Sequence, residues 1–356
     1  MSLILAINPG NTSTKVALFE DDRVVRMEVM RHAREELECF KHFMDQLEYR
    51  KDAVNDFLAE NKVDPENIDY FIGRGGYLRP LTSGLYKVNR HMLEDLKCST
   101  YGEHASNLGA VIAYSLASVT GKMAFILDPV CVDELAPEAR LSGHPAVQRK
   151  SIFHALNQKR VARNAAREMG RRYEDLNIIV AHLGSGISIG LHKRGLVVDV
   201  TNAIDGEGPF SPERSGAVPA GAFLRYVFEN GLGWDDSAAM LYGRGGLYAY
   251  LGTSDFKKAM ERYEGRKDRK ASSVIEAMAY QIAKNIAAMA APAQGEIDAI
   301  AITGGLAYSA TFISLIVPRV RFITGNIVIY PGEDELQAMA EGVVQGLRGE
   351  IEIMEY

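Results

Sequence analysis

Two stretches of the chain share one rhythm of apolar and polar positions. Residues 4–25 read ILAINPGNTSTKVALFEDDRVV: an apolar run, a polar bend, an alternating run, a charged turn and a Val-Val pair. Residues 178–198 read IIVAHLGSGISIGLHKRGLVV, the same order with two residues fewer in the first bend. Each stretch predicts a buried strand, a tight turn, a second strand, a charged hairpin turn and a third strand. Their offset is close to half of the 356 residues, which points to two like domains rather than a short-period solenoid.

The remaining pattern fills an α/β chain. Residues 33–61 carry helical spacing, with Phe40, Phe43, Leu47, Val54 and Leu58 on one face of a charged outer segment. A short strand over 68–73 runs into the turn 74–80, a helix rich in small residues spans 101–119, and a strand over 123–127 delivers Asp128-Pro129. Residues 137–150 read as the approach to a domain boundary, and 151–173 as a basic helix whose charges form a solvated face. The segment 199–221 has neither helical nor strand pattern, and a loop of that length is uncommon in a compact domain unless it has work to do. Two short helical pieces over 224–230 and 237–242 follow, then a helix N-cap at 253–255. Ser272 caps an expected amphipathic helix over 272–291, a strand over 297–303 delivers Gly304-Gly305-Leu306-Ala307, and a last strand and helix cover 327–330 and 336–347.

Composition narrows the partners. With 47% hydrophobic and 24% charged residues the chain has core enough for two domains. A formal net charge of −6 disfavours general binding to nucleic acid or anionic membranes, so an anionic substrate must be met by locally placed Arg and Lys. Three cysteines are too few and too scattered for a disulfide framework or a zinc site. The apolar start ends at Asn8-Pro9-Gly10, and the tract 274–293 is interrupted by Glu276, Gln281, Lys284 and Asn285, so neither a signal peptide nor a membrane span is expected and the reading is cytoplasmic.

The candidate chemistry gathers at the turns. Asn8, Gly10, Thr12, Ser13 and Thr14 crowd amides, hydroxyls and accessible N–H groups into the first bend, and Lys15 adds a cation, which suits a phosphate chain and its metal. Gly184, Ser185 and Gly186 let backbone approach a ligand in the second, although ordinary turn geometry alone would also place glycine there. A dinucleotide fold would need a helix after this bend, but Ile187, Ile189 and Leu191 alternate with polar or small residues as in a strand. No GxxxxGK[ST] stretch occurs. Arg74 and Arg79 flank flexible backbone that suits a small anion, and Arg214 stands in the unpatterned loop with Asp205 and Glu207 as candidate holders. Asp128 at a strand end could orient a metal or nucleophile, or merely start a turn. His182 could reach a ligand or be a satisfied core histidine.

Taken together, NPGNTSTK, AHLGSGIS, ITGGLAYS, LDPVCVDELAP and ERSG resemble the phosphate, adenosine and catalytic signatures of the acetate and butyrate kinase family, over nearly the whole chain. The resemblance implies a duplicated ribonuclease H-like, or actin-like ATPase, fold with a nucleotide cleft between two domains: 1–148 joined by 333–356, and 149–332. It implies reversible transfer of a phosphoryl group from ATP to a short-chain carboxylate, butyrate or isobutyrate, giving an acyl phosphate and ADP in a cytoplasmic homodimer or higher homo-oligomer. Asp128 and Arg214 resemble the catalytic pair, and Asn8 with Asp334, or second with Glu335, the magnesium pair. Thr12, Ser13 and Lys15 resemble the first phosphate group, His182, Gly184, Ser185 and Gly186 the second, and Gly304, Gly305, Leu306 and Ala307 the adenosine site.

The chain departs from acetate kinases in two places. Gln158 replaces a histidine four residues after the Phe-His pair, where it could donate to a phosphoryl oxygen but bring no charge. Phe71 replaces the substrate arginine, which passes the carboxylate to Arg74, or second to Arg79, beside Gly75 and Gly76. Gly73 falls where the family crowds the acetate methyl, and is expected to leave room for a longer alkyl tail. An acetate or propionate kinase of the same family, and an ATP-driven binding or assembly module on the same fold, are the competing functions.

Overall fold

The computed structural model describes residues 1–356 apart from the side chain of Arg34, and the chain divides into two compact units. The first comprises Met1–Asp133 with Asp334–Tyr356, the second Glu134–Glu333. The division comes earlier than the expected residue 148, because the segment after Asp133 is tied into the second unit: Glu134 accepts from Lys159 Nζ at 2.7 Å and from the N–H of Val197 at 2.7 Å. Arg149 then bonds Asp199 and Glu207, which takes Glu207 from the expected pairing with Arg214, while Asp205 accepts from Asn202 Nδ2 at 3.0 Å.

In the first unit, strands β1 (Leu3–Pro9), β2 (Ser13–Glu20), β3 (Arg23–Arg31), β4 (Tyr70–Gly73), β5 (Leu85–Lys87), β6 (Met123–Leu127) and β12 (Ile353–Glu355) form one sheet in the order β12-β5-β6-β4-β1-β2-β3. In the second, β7 (Asn177–Leu183), β8 (Ile187–Lys193), β9 (Leu196–Val200), β10 (Ala299–Gly304) and β11 (Ile327–Pro331) run β11-β10-β7-β8-β9. The order β6-β4-β1-β2-β3 repeats as β11-β10-β7-β8-β9, with two antiparallel hairpin pairings and two parallel ones in each. Even the register shift recurs, between Leu18 and Phe19 in β2 and between Leu191 and His192 in β8. The internal repeat of the sequence is thus a duplicated sheet, and β5 and β12 are additions to one copy.

The central strands are apolar along most of their length because helices cover them: Ile4, Leu5, Ile7, Ile179 and Ile300 are fully buried. Helix Asn107–Val119 packs on β4 and β6, and its small residues let it approach closely. The long helix covers Arg269–Ala288, a turn earlier than expected, because Asp268 rather than Ser272 caps it, accepting from the N–H of Ala271 at 2.9 Å. Helix Ala155–Glu168 packs on β7 and β10. Its basic face is only partly solvated, since Lys159 is buried against Glu134. Among the described residues no helix is long and apolar enough to cross a membrane.

Candidate active site

The first unit brings together Asn8, Arg74 and the start of the last helix, Glu335–Leu347. Asn8 ends β1 and donates from Nδ2 to Glu335 Oε2 at 2.6 Å, and Arg74 Nη1 lies 2.5 Å from Glu335 Oε1. All three are buried, at 7%, 5% and 8% exposure. Burial of this kind is tolerated because the arginine and carboxylate neutralise one another. Asp334 is exposed and occupies the N-cap of the helix, so the carboxylate that meets Asn8 is Glu335, one residue beyond the one expected. The corner fits magnesium: a carboxylate and an amide oxygen suit a hard cation that keeps waters and phosphate oxygens as its other ligands. Among the described residues no group of three or more His, Cys, Asp or Glu side chains could hold a metal by itself.

Asp128 follows β6, fully buried and at φ +40°, an uncommon conformation for a side chain other than glycine. Its Oδ1 accepts from Ser83 Oγ at 2.6 Å and the N–H of Gly84 at 2.8 Å, which fixes the carboxylate. Thr12, exposed, and Ser13 form the β1–β2 turn, and Lys15 pairs with Asn8 across the hairpin. Behind the turn stands Arg50 of helix Leu47–Glu60, fully buried, donating to the carbonyls of Gly10, Asn11 and Ser13. Nothing in the charged run around Arg50 marks it out in the sequence.

The three glycines around Arg74 are closely packed. A Cβ on Gly73 would stand 2.1 Å from the carbonyl oxygen of Gly109, so the missing side chain admits a helix backbone rather than an alkyl tail. On Gly75 it would meet Pro129 Cβ at 2.6 Å, and on Gly76 the Asn107 Oδ1 at 2.3 Å. Arg79 is exposed and places its guanidinium 4.4 Å from the ring centre of Tyr356, a cation–π contact.

In the second unit the β7–β8 turn is held from two sides. Ser211 Oγ donates to the carbonyl of Ser185 at 2.5 Å and accepts from the N–H of Arg214 at 3.1 Å. Arg214, anchored further by Nη1 on the carbonyl of Ala203, lies against Gly186, where a Cβ would stand 2.2 Å from Nη1. The glycine is needed for that approach. Gly184 is buried and Ser185 exposed, and His182, at the base of the turn, faces Asn157 Oδ1 at 2.8 Å and Glu333 Oε1 at 3.0 Å. The His154 ring stacks on it with centres 3.8 Å apart. Of the expected adenosine segment, Gly304 at φ +94° abuts Leu183, Gly305 opens to solvent with nothing within 4 Å of a Cβ, and Leu306 and Ala307 are buried in the core.

Gln158 has partners within the second unit. It is fully buried and both ends of its amide are engaged: Nε2 donates to Ser188 O at 3.1 Å and Oγ at 2.8 Å, and Oε1 faces His192 Nε2 at 3.1 Å. Because Oε1 can only accept, His192 carries its proton on Nε2, and its Nδ1 accepts from Tyr173 Oη at 2.7 Å. Ser188 Oγ, accepting from Gln158, also lies 2.8 Å from His154 Nδ1. Burial pushes the pKa of His192 well below 6.5, aided by Lys159 and Arg163, so the ring is neutral as this chain of hydrogen bonds requires. Both ends of the Gln158 amide are thus spent on partners inside the unit, along β8.

The acetokinase family model matches residues 142–325, just over half of the chain. The chain belongs to the acetokinase family. Butyrate kinase 2 of Clostridium acetobutylicum is 48% identical over 354 residues, 99% of each chain, and butyrate kinase 1 of the same organism is 46% identical over 357 residues, the whole of each. The crystal structure of Porphyromonas gingivalis acetate kinase superposes with a TM-score of 0.78 at 20% identity, covering 98% of this chain and 100% of that one. That likeness is one of fold, and with the repeated strand order it establishes the duplicated actin-like ATPase architecture.

Proposed function

We propose that this acetokinase is a butyrate kinase: a carboxylate oxygen of butyrate attacks the γ-phosphorus of ATP, ADP leaves, and butyryl phosphate forms, reversibly. The observation that carries the reading is full-length identity of 48% and 46% to two butyrate kinases. A carboxylate is already a competent nucleophile, so the protein's contribution is positioning and electrostatics rather than a strong base. Arg214 neutralises charge on the transferring phosphoryl oxygens, the turns at residues 12–15 and 184–186 take phosphates, and Gly305 offers the open backbone for the nucleoside. Arg74 is the carboxylate-binding residue and exchanges part of its pairing with Glu335 for the substrate. Asp128 orients the polar groups beside it. Asn8 and Glu335 would hold magnesium, which when bound supplies charge neutralisation for the phosphate oxygens.

The protein works in the cytoplasm as a homodimer or higher homo-oligomer. Helix Ala220–Glu229 has no buried residue, and it exposes Leu224 and Phe228 beside Trp234, an apolar face of the kind that a second copy covers. Sedimentation of the purified protein reads this directly. The activity is tested by trapping the acyl phosphate as its hydroxamate with ATP, magnesium and each acid from formate to hexanoate. Butyrate is expected to give the highest kcat/KM. A higher value for acetate or propionate would assign the chain to another branch of the family, and no acyl phosphate from any acid would end the kinase reading.

A further inference from the structure

The first turn owes its shape to a residue that takes no direct part in the chemistry. Arg50 Nη1 donates to the carbonyls of Gly10 at 2.8 Å and Ser13 at 3.0 Å and to Thr14 Oγ1 at 3.2 Å, while Nη2 donates to the carbonyl of Asn11 at 3.1 Å. The remaining carbonyl of the turn, Thr12, accepts from the N–H of His32 at 3.0 Å. All four carbonyls of residues 10–13 are therefore held by partners within the protein. The N–H groups of Asn11 and Thr12, on exposed residues, make no hydrogen bond among the described residues. A turn whose carbonyls are gathered to one side and whose N–H groups remain available is an anion-binding concavity.

The second part of the argument is charge. Arg50 is fully buried, and its other contact is Gln46 Oε1 at 2.9 Å, so its acceptors are amide and hydroxyl oxygens with no carboxylate among them. Desolvation lowers its pKa to about 10, which still leaves it protonated at neutral pH. Buried arginines are ordinarily paired with an acid, as Arg74 is with Glu335. A buried positive charge with only dipoles around it makes the turn above it attractive to an anion, because low-dielectric surroundings screen it weakly.

We propose that Arg50 is the positioning residue of the first phosphate turn, holding its carbonyls away from the nucleotide and supplying a buried positive charge that the phosphates of ATP balance. The inference rests on the reading of residues 10–15 as a phosphate site. It assigns to helix Leu47–Glu60 the task of shaping that site.

The test compares binding of ATP and of adenosine to the full-length protein by calorimetry. Adenosine lacks phosphates, so a residue that serves the phosphate turn affects only the first ligand. Arg50→Met is expected to weaken ATP by about tenfold or more, with adenosine within about twofold of the parent. Arg50→Lys, which keeps the charge but not the fan of donors, should fall between the parent and Arg50→Met. If folded Arg50→Met binds ATP as the parent does, or loses ATP and adenosine equally, the proposal is wrong and the arginine serves only the fold. Should Arg50→Met fail to fold, Gln46→Leu removes the guanidinium's anchor and reads the same ratio, with a selective loss of ATP expected and an unchanged ratio counting against the proposal. Thr12→Ala and Lys15→Ala run alongside separate the two claims. ATP binding unchanged in both would remove the phosphate site itself, whereas ATP weakened in both but not in Arg50→Met would remove only the role of Arg50.

Discussion

Behind the β1–β2 turn stands a buried arginine that reaches in from a helix, whereas against the β7–β8 turn lies an arginine delivered by a loop. The two hairpins pair in the same way, down to the position of the register shift. Arg50 engages three backbone carbonyls and so dictates which way the first turn faces. Arg214 touches the second turn through the space left by Gly186 and is half-buried, with its guanidinium at the surface of the turn rather than inside it. The strand order is repeated, and elements outside the repeated strands bring a different arginine to each turn, one from a helix and one from a loop.

The sharpest way to break this contrast is at Arg214. Arg214→Ala should lower kcat by about 10³-fold with little change in ATP affinity, as for an arginine that stabilises charge in phosphoryl transfer. Gly186→Ala should cost nearly as much, since the new methyl would stand where Nη1 now lies. If the two act through one guanidinium, the double variant is no worse than either alone. A kcat within roughly tenfold of the parent in Arg214→Ala would make this arginine, like Arg50, a support.

Next in size is the crossing of Gly73 and Gly109. Gly73→Val drives a side chain into the Gly109 backbone, and overpacking of that kind costs about 3 kcal/mol or more because neither backbone can yield. The expected result is a large fall in the thermal midpoint with any remaining activity keeping the parent's preference among acids. A well-folded variant that favours acetate would restore Gly73 to the substrate pocket and move specificity onto β4.

A smaller effect separates Glu335 from Asp334. Glu335→Gln should raise the magnesium concentration needed for half-maximal rate by about tenfold, while Asp334→Asn stays near the parent, because only Glu335 meets Asn8. Magnesium titrations showing the reverse would place the metal at the helix cap. Equal, unshifted curves would take it away from this corner.

How far the sequence could carry these assignments depended on the kind of information each needed. The duplication was legible because alternation and turn residues are local, and they recur in 4–25 and 178–198. Arg214 was visible as the cation of an unpatterned loop. What escaped were properties of contact. Whether Gly73 frees space or fills it depends on Gly109, and whether Asp334 or Glu335 turns inward depends on where the helix caps. Gln158 was expected at a substrate because its position in the family motif was readable, but its partners His192 and Ser188 lie 34 and 30 residues away. Arg50 was hidden for the same reason, since an outer helix with charges at every turn gives no sign that one of them points inward.

The mildest test asks whether the buried chain along β8 stabilises the second unit, and it is a pH experiment. His192 has a depressed pKa in the folded protein and returns toward its ordinary 6.5 on unfolding. Between those values the unfolded state binds the extra proton, so the stability this neutral ring contributes is fully present above about pH 6.5 and is lost as pH falls toward the folded value. The contribution to the slope is at most about 1.4 kcal/mol per pH unit, one proton's worth. His192→Gln keeps a donor and an acceptor for Tyr173 and Gln158 but does not titrate. It should flatten the acid side of the stability curve below pH 6.5 while changing stability at pH 8 by about 1 kcal/mol, the scale of one altered buried hydrogen bond. His32 also has a lowered pKa, from burial and then Arg50, and sits under the first turn, so His32→Gln is the matched control. An acid slope that disappears with His32→Gln and survives His192→Gln would show that the first turn, with its buried cation, is the one that fails first in acid.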